Sequence, residues 1–520
     1  MKRQPLAIFS LAALALCVAV LPLAIAAKTA AKNPPVPAAP QDVAVHPQMN
    51  DGTGPALAAI AGHGMMDSHA YEYLEQLSDD VGPRLTGSER CNQAVQWGVA
   101  TMKKIGLQNV RAEPWQIFRG WQRVSASAEV VSPSQHPLMV DSMGWVGSTP
   151  RGGVTADLIP FNVFDLDNEL AHNSSNWRGK ILIAIQKGPR PEGDGMVEFA
   201  KFGDVLKKAH EVGAVAVIGG QAGAKSQGMH LTHTGALGFA TFYDIPVVSI
   251  SAEDQDLLER FLDRGKQVRV HIDVQNRVTD GPADTANVVG EIPGTEHPEQ
   301  IIVVGGHLDS WDLSEGATDD GVGVVTTLGA AEAIIRSGFK PRRTIRFVLF
   351  TGEEEGLLGS LAYTKTHKSE MKNHVAAVIL DNGQGPVTAL NMGGRDDTVS
   401  AASELAANLS AFGKITANDN TEFGTDVGPF ILEGLPGINL DQDSPEYRYT
   451  HHSNVDTFDK VDEAILARDA TVQGLVAFWI ADRPERLASP WPPDRTAQML
   501  IEHHDDVMLK LFGLWPFGNQ

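Results

Sequence analysis

The chain has 520 residues, 42% of them hydrophobic, and a formal charge of −22. That length exceeds one ordinary domain, and the apolar fraction supports a full core, so two or three domains are expected. The acidic balance argues against nucleic acid or an anionic membrane surface as a partner.

The amino end reads as a secretory signal over residues 1–26. Lys2 and Arg3 supply the charge, 6–25 is apolar with a break at Pro22, and Ala24-Ile25-Ala26 precedes a cut near Ala27. This predicts a secreted or periplasmic protein with no stable membrane insertion after cleavage. A lipid-anchored Cys17 is disfavoured, because Leu16 stands where a small residue is wanted. Cleavage leaves Cys91 as the one remaining cysteine of two, so no intramolecular disulfide is expected. Residues 27–60, rich in Ala, Pro and Gly, read as a flexible leader.

A first part of the main domain is expected over 61–134. It holds a helix over 68–78 and a second ending at Ile105 with Gly106 as its stop. Strands follow near 110–117 and 124–131. From 135 to 275 the composition shifts to a separate α/β unit. Strands are expected there at 180–185, 214–218 and 245–250, with helices at 205–212 and 255–263. Ser251 to Asp254 resembles a capping box before the second helix. This unit holds no evident catalytic cluster and reads as an inserted lid. His230 and His233 read as solvated loop residues more readily than as ligands.

The main domain resumes over 276–485. The stretch 321–336 is apolar nearly all round and reads as a buried helix. Further helices are expected at 355–367, 400–412, 425–433 and 462–481, with buried strands at 375–380 and 437–440. Strands alternating with helices of this length predict an α/β fold with a largely parallel sheet between helix layers. The tail, 486–520, carries no functional signal and is expected to dock on the main domain or a partner.

Clusters of His and acid punctuate this second part. His307 and Asp309 follow the apolar run 301–304, and Asp319-Asp320 sits in the next loop. The run 347–350 leads to Glu353-Glu354-Glu355, and 375–380 ends at Asp381. Each lies just past a buried-strand pattern, at the carboxyl edge where open α/β sheets bind ligands. Imidazole and carboxylates converging there suit a divalent metal and a hydrolytic water. A lone cluster would be read as solvated loop acids; successive ones are not.

The motifs GGHLDSWD (305–312), GATDDG (316–321), EEEGLLGS (353–360), LD (380–381), GTD (424–426) and HHSNVDT (451–457) resemble the co-catalytic di-zinc exopeptidases, in their carboxypeptidase Q-like branch. Residues 178–180 and 245–250 are similar to the protease-associated insert of some of these enzymes. The resemblance implies two zinc ions. His307 and Asp381 would hold one, Glu354 and His452 the other, with Asp319 bridging. It further implies Glu353 as general base and Asp309 as the acid that orients His307. His451 remains an alternative to His452, and Asp320 to Asp319. Glu355 reads as a helix-start acid, Asp426 equally as a helix cap or a substrate-facing group, and Tyr447 and Tyr449 equally as pocket or packing residues.

The implied activity is hydrolysis of dipeptides or short peptides, with a homodimer implied as well. The alternatives are an aminopeptidase on longer peptides, a one-zinc glutaminyl cyclase, or a non-catalytic receptor-like binding protein. The complete ligand set speaks against the last two.

Overall fold

The computed structural model describes residues 53–189, 195–219 and 229–518. The expected signal and most of the expected leader lie outside the described residues. Four apolar strands set the centre of the main sheet: Arg343–Phe350, His297–His307, His374–Ile379 and Gly437–Gln442 are parallel neighbours in that order. Their inner residues, Val303, Val304, Phe347 and Val378 among them, are fully buried. Strands covered on both faces read as continuous apolar runs, as these do.

The strands flanking this centre pair antiparallel with it. On one side Ala283–Ile292 pairs antiparallel with Arg343–Phe350, and Gln108–Ile117 pairs antiparallel with it in turn. On the other side Val387–Asn391 runs antiparallel to Gly437–Gln442, with Thr416–Asn418 beyond it. The sheet is therefore mixed, with four parallel strands at the centre and a further parallel pair, Val387–Asn391 with Thr416–Asn418, at one edge. His307 lies beside Phe350, and Gly305 beside Ile379. That register brings the loops carrying His307, Glu353 and Asp381 to one sheet edge.

Helices Val322–Ser337 and Glu463–Asp482 cover one face together with Gly54–Met66. Glu463–Asp482 is apolar and long enough to cross a membrane, but 78% of its apolar window is buried inside the protein. Asp462 caps it, its carboxylate accepting from Ala464 N and Ile465 N. The other face carries Phe350, Phe430 and Ile431, packed with Leu500 and Leu509 of the tail. The tail thus docks on the main sheet through helices Pro493–Glu502 and Asp505–Leu511.

A second eight-stranded sheet is built from residues between Trp121 and Val278. Strand Trp121–Ser132, expected with the first part of the main domain, pairs instead with Arg269–Val278 in this second sheet. Its alternating burial fits an antiparallel pair better than a central parallel strand.

Three local expectations change. Helix Gly54–Met66 begins inside the stretch expected as leader. An Ala-rich composition suggests flexibility, but Ala is also the strongest helix former, and Pro55 sits in the first turn. The helix expected from 355 starts only at Leu358, because Gly352 and Gly356 hold φ of 82° and 112° in the intervening turn. The helix expected over 425–433 is the shorter Gly428–Leu432.

Ile60 is fully buried, packed in the main core. Ile60→Ala should therefore destabilise the protein by roughly 2–5 kcal/mol in urea unfolding. A neutral result would contradict the docking of this helix.

Candidate metal centre

Two imidazoles meet around one carboxylate. Asp319 Oδ1 lies 3.2 Å from His307 Nε2, and Asp319 Oδ2 lies 3.4 Å from His452 Nε2. Asp381 Oδ1 is 3.6 Å from His307 Nε2, and Glu354 Oε2 is 2.9 Å from His452 Nε2. Glu353 Oε2 stands 4.0 Å from His307 Nε2. The six residues read from the sequence as ligands and base are brought together, and all are nearly inaccessible to solvent.

The alternatives lie in the same cluster: Asp320 groups with His307 and Asp381, and His451 with Asp319 and His452. Both oxygens of Asp320 accept backbone hydrogen bonds, from His307 N at 3.0 Å and Gly323 N at 2.8 Å. Asp320 thus ties the end of the His307 strand to the start of helix Val322–Ser337. A Cβ at Gly323 would come within 2.2 Å of that carboxylate, so the approach requires glycine. His451 stacks on His452 with ring centroids 3.8 Å apart, and its Nε2 is 4.0 Å from Asp319 Oδ2. Tyr447 stands edge-on to His451 and packs against Gly383, beside Asp381.

Neighbouring groups fix this cluster. Asp456 accepts from Thr318 N at 2.7 Å and Asp319 N at 3.1 Å, which sets the bridging position. Arg84 is fully buried; its guanidinium donates to the carbonyls of Leu308, Glu315 and Gly316 at 2.5, 2.6 and 2.8 Å. It therefore pins the loop between His307 and Asp319. Arg84 is a functional residue that the motifs do not reach; a lone cation inside a Gly- and Pro-rich turn is the one signal the sequence holds for it. His307 Nδ1 is 3.1 Å from the Asp309 carbonyl and 3.6 Å from its carboxylate. The carboxylate also accepts from Thr86 Oγ1 at 2.8 Å and Glu353 N at 3.4 Å.

The second-sheet unit reaches into the same place. Thr234 N donates to the carbonyl of His452 at 2.8 Å, and Asn454 N to that of Thr232 at 3.1 Å. His233, expected as a solvated loop residue, is buried, with Nδ1 2.9 Å from the His451 carbonyl. Burial pushes its pKa down to about 4, so the ring is neutral and donates from Nδ1. His452 holds φ of 55° within this two-stranded contact. His230 is exposed.

Glu355 is not a surface acid at a helix start. It is buried, three residues before the helix, and burial pushes its carboxyl well above the usual range. Asp426 is no cap either, since helix Gly428–Leu432 has no side-chain cap. Its carboxyl is buried and pushed up to about 7 by that burial.

The electrostatics of the cluster call for a cation. Burial first, then the charges of neighbouring carboxylates, holds Glu353 and Glu354 well above the usual carboxylate range, although His307 opposes the shift. Burial alone would lower His307; Asp381, Asp309 and Asp319 outweigh it and hold it well above its usual value. Asp319 Oδ2, Glu353 Oε1 and both oxygens of Glu354 make no hydrogen bond. Buried carboxylate oxygens without partners are costly unless they coordinate a metal. The donor set of imidazole nitrogen and carboxylate oxygen fits zinc.

The family model "Peptidase family M28" matches residues 287–475. Mouse carboxypeptidase Q is 32% identical over 439 residues, covering 83% of this chain and 90% of the relative. The structure of a peptidase M28 precursor from Shewanella amazonensis superposes with a TM-score of 0.73 at 31% identity, over 84% of this chain and 99% of that one. A zinc aminopeptidase from Bacillus subtilis shares the fold, with a TM-score of 0.62 at 21% identity, over 81% of this chain and 97% of that one. The chain belongs to peptidase family M28, among its carboxypeptidase Q-like members.

Proposed function

We propose that this chain is a zinc metallopeptidase, an exopeptidase that hydrolyses dipeptides or short peptides. The observation that carries the reading is Asp319, with one carboxylate oxygen toward each imidazole among buried carboxyls that lack hydrogen-bond partners. His307 and Asp381 would hold one zinc ion and Glu354 and His452 a second, with Asp319 placed between the two positions. Ions bound there lower the pKa of an attacking water and polarise the peptide carbonyl.

Glu353 is the general base in this reading. Its Oε1 is free of hydrogen bonds, and the residue lines the cleft. It takes a proton from the water as the oxygen joins the carbonyl carbon. It then delivers that proton to the leaving amine as the C–N bond breaks. Asp309 supports it by accepting from Glu353 N, and Arg84 holds the His307 loop. The unit over 135–275 acts as a lid. Its residues 232–240 bond to the backbone of both His452 and Glu355, which supports short substrates. Export through the signal over 1–26 and pairing into a homodimer belong to the same reading and rest on the sequence.

Purified protein should carry about two zinc ions per chain, and exhaustive chelation should abolish dipeptide hydrolysis. Full activity after chelation would contradict the metal reading. Blocking the amino or the carboxyl end of the dipeptide separately then tells which free end is required. Glu353→Gln should lower kcat by roughly 10²–10⁴ with zinc retained. Glu354→Gln should lose zinc as well as turnover. Zinc lost from the first variant and kept by the second would reverse the two roles.

His233→Ala removes the hydrogen bond to the His451 carbonyl. It should weaken one of the two zinc positions by roughly 10–100-fold in a metal titration, leaving the other in place. Unchanged affinity at both positions would show that the lid does not hold the His452 loop.

A further inference from the structure

The cleft beside Glu353 and His452 has an apolar wall supplied by the lid: Phe199, Ala236 and Phe239. Phe239 packs on Gly356, where a Cβ would fall 2.2 Å from its ring. Its neighbour Ala240 donates a backbone hydrogen bond to the carbonyl of Glu355 at 3.2 Å. Phe239 is therefore the lid residue that rests on the turn carrying the general base.

The far side of both rings is covered by the tail. Phe512 packs on Phe239 with ring centroids 4.3 Å apart, and on Phe199 at 5.7 Å. Phe512 ends helix Asp505–Leu511, which touches the lid helix Gly195–Val212. Leu509 of the same helix is fully buried in the core cluster that contains Phe350, Phe430 and Ile431 of the main domain. The chain then turns back, with Leu514 N donating to the Leu509 carbonyl at 2.8 Å. One short helix is thus anchored in the main domain and reaches across to the two lid phenylalanines.

We propose that the segment 505–512 is a strap, and that Phe512 is a positioning residue that holds Phe239 and Phe199 as the apolar wall for a substrate side chain. The substrate part of this proposal rests on the peptidase reading above. The strap itself rests on the aromatic contacts alone. Such a wall favours peptides with a large apolar side chain, because its buried area is gained only when the rings are held in place. Phe512 touches no reacting group, so its removal should alter the fit of the side chain and leave the metal and the base untouched.

The test compares zinc-loaded wild type, Phe512→Ala, Phe512→Leu, Phe239→Ala and the double alanine variant. Each is assayed on Phe-Ala, Ala-Phe and Ala-Ala, and hydrogen exchange is followed over 236–241. Phe512→Ala should raise KM for the better phenylalanine-containing peptide about tenfold. Its kcat, its zinc content and its KM for Ala-Ala should be unchanged, and the Ala240 amide should exchange faster. Phe512→Leu should restore most of the preference. The double variant should lose less than the sum of the two single losses, since Phe512 acts in part through that ring. Unchanged exchange and unchanged preference in Phe512→Ala overturn the strap. An equal fall in kcat on all three peptides overturns it as well, since that is what general loosening would do. Faster exchange in Phe512→Ala, with a wild type that hydrolyses none of the peptides, upholds the strap and overturns the peptidase reading instead.

Discussion

Burying like charges together is the constraint on which the rest of this structure depends. Asp309, Asp319, Glu353, Glu354 and Asp381 lie within one nearly dry cluster, against the imidazoles of His307 and His452. At an effective dielectric near 20, two like charges 4 Å apart repel by about 4 kcal/mol, and, after burial, the acids of this cluster push one another's carboxyls up. Arg84 is a buried cation near Asp309, but its guanidinium donates to three backbone carbonyls and to no carboxylate of the cluster. A divalent cation between the carboxylates would turn the repulsion into ligation, and Glu353 Oε1 and Glu354 Oε1 are buried without a hydrogen bond beside it.

The fold serves that arrangement. Parallel strands place the loops carrying His307, Glu353 and Asp381 at one edge, and the helix after Asp320 is tied back to the His307 strand by the Asp320 carboxylate. The remaining imidazole comes from a loop with no strand beneath it. That loop is held by the lid, through Thr234 on the His452 carbonyl and His233 on the His451 carbonyl. The insert is thereby a structural part of the proposed metal site as well as its cover.

The central fold is legible in the sequence because its strands are continuous apolar runs and its long helices are apolar all round, patterns that survive without an alignment. The antiparallel edges are not, since period and composition do not encode which neighbour a strand takes. Trp121–Ser132 joins the second sheet, against expectation, for that reason. Motif resemblance names the members of the cluster but not their supports. Arg84 and His233 act through backbone carbonyls far along the chain, and nothing local in sequence marks such partners. Glu355 is expected at a helix start, but its helix begins three residues later and the side chain is buried. The tail's Phe512 carries no sequence signal, because its meaning lies in two lid rings more than 250 residues earlier.

The most direct test of the central claim is anomalous diffraction at the zinc edge from crystals of the zinc-loaded protein. Two anomalous peaks are expected, one beside His307 and Asp381, the other beside Glu354 and His452, with the Asp319 carboxylate between them. A single peak would contradict the di-zinc reading, and a pair bridged by Asp320 in place of Asp319 would contradict the assignment of the bridge.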